Sequence, residues 1–198
     1  MYRHEKTREP KQFEFEVDKF IRESQQYEQL PESKKIKKIT SDIEKRFFDT
    51  YVTFSTFSEI EAFGIYSLVT ATILTALIFD ELNIPFKIKV AHNAISILTY
   101  PKTKSVEWSV NEKIETLYYW TENSASLVLF YMERSNVITE TQMEGEGATL
   151  ILQHYFSQTK EISLDELLGI YYFNEAMHVL DDNNYEKAYQ WINVVQSK

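Results

Sequence analysis

The alternation of apolar and polar positions divides the chain into helical and extended stretches. Phe13, Val17, Phe20 and Ile21 recur at helical spacing after a polar tail of about twelve residues. Leu30-Pro31-Glu32-Ser33 breaks that helix. Ile36, Ile39, Ile43, Phe47 and Tyr51 mark a second one, and Thr53 to Ser58 reads as a loop. The run Ala62 to Phe79 is uncharged throughout and predicts a buried central helix opening at Gly64, with Ser67 as its N-cap. The period then changes. Phe86-Lys87-Ile88-Lys89-Val90 alternates as a half-buried strand does, and Ala94 to Tyr100 and Val106 to Val110 read as two more strands. Short links between them predict an antiparallel meander.

From Lys113 the pattern is helical again, with a break at Glu144-Gly145-Glu146-Gly147. Ser163 with Glu166 three residues later forms a capping-box signature for a helix beginning near Leu164. After a turn at Asp181-Asp182-Asn183-Asn184, Tyr185, Ala188, Ile192 and Val195 share one face of a last helix. A central helix followed by a meander predicts an α+β fold with the helix packed on one sheet face. We divide the chain into an N-terminal tail and helix (1–30), a core (31–160) and a C-terminal helix pair (161–198).

Composition narrows the chemistry. The 198 residues include 13 Tyr, 13 Phe, four Gly and four Pro, which favours long helices around an aromatic core. The net charge of −9 argues against nucleic acid and anionic membrane as partners. The one basic cluster, Lys34-Lys35-Ile36-Lys37-Lys38, reads as the solvated face of the second helix. With no cysteine, disulfides, thiol catalysis and thiolate-bound zinc are excluded. The histidines at 4, 92, 154 and 178 are scattered, so neither metal nor cofactor is expected. His154 and His178 fall in aromatic helical stretches. Tyr118-Tyr119-Trp120 reads as core or groove wall, and Glu140 and Glu144 as solvated acids. The charged N-terminus and a central run of barely spanning length predict a cytoplasmic protein without a transmembrane helix.

Gly64 to Pro85, the strand ending in Tyr100-Pro101, and Val106-Glu107 together resemble bacterial transglutaminase-like (papain-like) proteins. Tyr155-Phe156-Ser157 through Leu164, Tyr171 to Ala176 and Asn184 to Ala188 resemble the tetratricopeptide segment that follows this domain in one subgroup. The resemblance implies a papain/transglutaminase-like core with N-terminal helices and a C-terminal helical extension. In active members the helix reads Gly-x-Tyr-Asn-Cys-x-Ser-Ala. Here Gly64, Tyr66 and Ala71 are kept, and Leu68 takes the nucleophile's place. The family's histidine position falls at Ala94 and its acid near Glu107.

A thiol reaction needs its thiolate and imidazole together, so the resemblance implies a domain that has lost catalysis. It would serve as a protein- or peptide-binding or scaffolding module, its old cleft lined by Tyr66, Ser67, His92 and Trp108. A lone tetratricopeptide unit cannot bury its own faces, so the helix pair either caps the core or pairs with another chain as an oligomer contact. Two alternatives stay open. One is a hydrolase or acyltransferase using a displaced Ser67–His92–Glu107 set, although Ser67 is turned about 100° around the helix from Leu68. The other is a structural or immunity-type partner of a neighbouring gene product.

Overall fold

A computed structural model of the chain describes residues 8–91, 94–99, 106–109 and 160–196, together with 121, 125, 126, 128–130, 147, 148 and 150–152. His4, His92, Tyr100-Pro101, Tyr118-Tyr119-Trp120, Glu140, Glu144 and His154 lie outside the described residues.

Helix α1 (Pro10–Ser24) starts with proline, whose fixed φ and missing N–H suit a first turn. A 3₁₀ turn (Gln25–Gln29) and Pro31 separate it from α2 (Glu32–Phe47). The two helices meet through aromatic edges. Phe13 and Phe20 approach the ring of Phe47 at 5.7 and 5.6 Å in T-shaped geometry, the arrangement favoured by ring quadrupoles. Ile36, Ile39 and Ile43 are buried on the inner side of α2, and Lys34, Lys37 and Lys38 stand in solvent on the outer side, as the sequence predicts.

The stretch from Thr50 to Tyr66 differs from expectation. Thr56 caps a short helix, α3 (Phe57–Phe63), through a full capping box with Glu59; it begins inside the Thr53–Ser58 stretch that reads as a loop. Gly64 then ends α3 with φ of 69°. A Cβ there would come within 2.7 Å of the Asp49 carboxylate, so glycine is required twice over. The chain next runs extended, and β1 (Thr50–Tyr51) pairs in parallel with β2 (Ile65–Tyr66). The uncharged run is therefore two helices with a strand residue pair between them.

The central helix α4 is Leu68–Glu81, capped by Ser67. It is apolar all round and buried on nearly every side, as such a helix must be. It lies against a sheet of order β5-β4-β3-β6, with β3 Phe86–Ala91, β4 Ala94–Thr99, β5 Val106–Trp108 and β6 Lys160–Ile162. The meander β3-β4-β5 is antiparallel throughout. The sequence reading did not include β6, which adds at the free edge of β3 with Ile88 opposite Ile162. Three residues are too few to show a period.

Ser163 follows β6 directly and caps α5 (Leu164–Asp181) with the expected capping box. A turn through Asn183, at φ of 60°, leads to α6 (Tyr185–Gln196). Helix α5 packs on α4. One core cluster takes Phe13 and Phe20 from α1, Ile39 from α2, Ile73 from α4, Ile97 from β4 and Leu167 from α5. The helix pair is thus seated on the core of its own chain. Asn174, Ala176 and Ala188 are buried, whereas Tyr185 is 66% exposed, with no described helix covering α6 on that side.

Candidate functional site

The N-terminus of α4 is the place where the resemblance puts catalysis. A helix start leaves backbone N–H groups without partners, and here hydroxyls supply them. Ser67 Oγ accepts from Thr70 N at 3.4 Å, and Thr70 Oγ1 accepts from Ser67 N at 2.9 Å. Ser55, from the segment before α3, closes the set with its Oγ 2.9 Å from Thr70 Oγ1. Ser55, Ser67 and Thr70 are 1%, 4% and 0% exposed. Each hydroxyl is engaged with its neighbours, and none faces open solvent.

Leu68 is 2% exposed and belongs to the core cluster. Tyr66 is half-buried, stacked on Phe48 at 4.8 Å and edge-on to Tyr51 at 5.7 Å. Trp108 is 8% exposed, and its indole N–H donates to Glu44 on α2 at 2.8 Å. Three of the positions assigned to the old cleft, Ser67, Leu68 and Trp108, are therefore filled in by their own surroundings.

The sheet separates the remaining positions. Ile95, Ile97 and Thr99 are buried, and the two isoleucines share the core cluster with α4. Strand alternation directs Ala94, Ser96 and Leu98 to the opposite face. Glu107 pairs across from Leu98 and accepts from Ser96 Oγ at 2.6 Å, so it joins that face. Ser67 and Glu107 are consequently on different layers, and the structure does not bring them together. His92 lies outside the described residues.

The structure does assemble a second polar cluster, on the face of α5 turned toward the segment before α3. Tyr171, Glu175 and His178 follow one another at i, i+4 and i+7. The Tyr171 hydroxyl accepts from Phe57 N at 3.1 Å. The His178 ring lies against Phe54, centroids 4.6 Å apart. Glu175 is only 5% exposed, and its Oε1 has no hydrogen-bond partner. Burial, which disfavours the charged form, raises the carboxyl above the ordinary glutamate range against the pull of Tyr171, Lys187 and His178. Burial likewise pushes the Tyr171 phenol well above its usual range.

One turn on, Asp181 accepts from Thr121 at 2.7 Å, while its other oxygen is buried without a partner. The sequence signal for this cluster was an acid and an imidazole three residues apart inside a run, Tyr171 to Leu180, that is apolar or aromatic apart from them and Asn174. The cluster fixes α5 to the segment that carries Ser55, through the Phe57 N–Tyr171 bond and the Phe54–His178 ring contact. Among the described residues, no group of three His, Asp or Glu side chains is arranged to hold a metal ion. No described helix is long and apolar enough to cross a membrane. No family model, curated protein or solved structure matches this chain.

Proposed function

We propose that the chain is a binding domain on a transglutaminase-like scaffold, acting through a protein or peptide partner without catalysing a reaction. The observation that carries this reading is the start of α4. The position of the family's nucleophile holds a core leucine, Leu68, 2% exposed, and the adjacent hydroxyls of Ser67 and Thr70 are spent on capping the helix. A serine nucleophile needs its Oγ free toward substrate and a base within hydrogen-bond reach. Ser67 has neither among the described residues, and Glu107 sits on the other sheet face. A central helix followed by an antiparallel meander, with a helix pair docked against the helix, supports the scaffold half of the reading.

A fluorophosphonate probe tests the function. The expected result is no labelling of the folded protein. Labelling that disappears in Ser67→Ala would establish the alternative, a hydrolase or acyltransferase built on Ser67, His92 and Glu107. The scaffold is tested separately by a crystal structure of the Leu68→Cys, Ala94→His double variant. A sulfur far from the imidazole there removes the transglutaminase alignment and leaves the non-catalytic reading to stand on burial alone.

A further inference from the structure

Helices α1, α3 and α4 do not close against one another along their whole length. They leave a groove of about 220 Å³. Its floor is apolar: Val17 and Ile21 from α1, Phe57 from α3, and Leu74, Leu77 and Ile78 from α4. Leu77 is the anomaly. Helix α4 is buried on almost every side, yet Leu77 is 41% exposed at the groove. An exposed leucine on an otherwise buried apolar helix leaves water on surface that a partner would cover.

The rim is acidic. Glu14, Asp18, Glu61 and Glu81 surround this floor, and no Lys or Arg is among the lining residues. Among the described residues none of the four is in an ion pair, whereas acids elsewhere on α1 and on α2 are matched: Glu16 with Arg8, Glu23 with Lys19 and Arg46, Asp42 with Lys38. Glu61 shows the cost of this arrangement, since burial and the nearby Glu14 charge raise its pKa above the usual carboxylate range. Four unmatched carboxylates around an apolar floor complement a ligand with an apolar stripe and flanking cations.

Helical walls also select the backbone of that ligand. They offer no free strand edge to pair with an extended peptide, whose N–H and C=O groups would lose water without compensation. A helix satisfies its own backbone and presents anchors at i, i+3 or i+4, and i+7. The volume, below the roughly 300–1,000 Å³ of small-molecule pockets, suits a few side-chain anchors better than an enclosed ligand. We propose that the α1–α3–α4 groove docks a basic amphipathic helix of a partner protein, with apolar anchors over Leu77 and Lys or Arg side chains against Glu14, Asp18, Glu61 and Glu81. This surface does not include Ser67, Leu68 or Trp108, so it stands or falls independently of the transglutaminase alignment.

The test is fluorescence anisotropy of the full chain with a labelled leucine–lysine peptide designed as an amphipathic helix. A scrambled peptide of the same composition and a leucine–glutamate counterpart serve as controls. The designed peptide should bind at least tenfold more tightly than either control. Leu77→Ser, checked for unchanged circular dichroism, should weaken binding at least tenfold. Glu14→Gln with Glu61→Gln should weaken it and flatten its salt dependence, while Glu28→Gln with Asp182→Asn should leave it unchanged. Absence of binding, equal binding of the scrambled or acidic peptide, or indifference to Leu77→Ser overturns the proposal. Concentration-dependent dimerisation abolished by Leu77→Ser overturns it too, assigning the groove to a second copy of the chain.

Discussion

The two ends of α4 have opposite characters. At its start the hydroxyls are matched: Ser67, Thr70 and Ser55 exchange hydrogen bonds inside the protein, and Leu68 fills the core beside them. Toward its end Leu77 stands half in water, and Glu81 faces three other acids across a groove with no Lys or Arg among its described lining residues. The first end has the properties of structure, because it is satisfied and dry. The second has those of an interface, because its apolar surface and its charge are both left unmatched.

Substitutions can break this contrast, and the largest effect is expected at Leu68. Leu68→Ala should lower the unfolding free energy by about 2–5 kcal/mol, the usual cost of a leucine-to-alanine cavity in a core. Urea denaturation measures this, and a loss near zero would mean that position 68 is not the packed site described. Ser67→Ala should cost about 1 kcal/mol as a lost N-cap, seen in the same experiment.

Glu175 gives a pH signature of smaller size. Its folded-state pKa lies above the unfolded one, so its protonated form contributes stability that is complete below about pH 4.3 and is lost as pH rises through the folded value. Glu175→Gln should therefore stabilise the protein near neutral pH and flatten that decline in melting curves taken across the acid range. An unchanged slope would place the proton elsewhere. Leu77→Ser should have the smallest effect on stability, within roughly 0.5 kcal/mol, although the same change is expected to weaken helix binding tenfold. Together with Leu68→Ala it separates the end of α4 that holds the fold from the end that meets a partner.

Local signals carried much of the fold. The strict alternation of Phe86 to Val90, the Ser163–Glu166 pair and the Ile36–Ile39–Ile43 stripe each lead to the element observed, because each is decided by groups within a few residues of one another. What escaped depends on distant partners. The residue pair Ile65–Tyr66 is a strand only because Thr50–Tyr51 lies alongside, and β6 only because the edge of β3 is free. The candidate site divides in the same way. That Leu68 cannot be a nucleophile follows from its identity alone. The closure of Ser67 by Ser55, and the distribution of Ser67 and Glu107 over two layers, depend on tertiary packing. The groove was illegible for the same reason, since its four acids come from three helices.

The late strand β6 sets a schedule for synthesis. Lys87 and Glu161, which form an ion pair across the β3–β6 boundary, are 74 residues apart in the chain. At translation rates of about 5–20 residues per second, β3 waits some 4–15 seconds for the segment that covers its edge. During that interval an unpaired edge offers itself to any other nascent strand. Lys87 and Lys89 alternate along β3 and put positive charge on one face of that edge, which repels a second copy of the same strand. Glu161 then discharges Lys87 when β6 arrives. The lysines thus serve as a guard for the growing chain before one of them becomes a contact of the finished one.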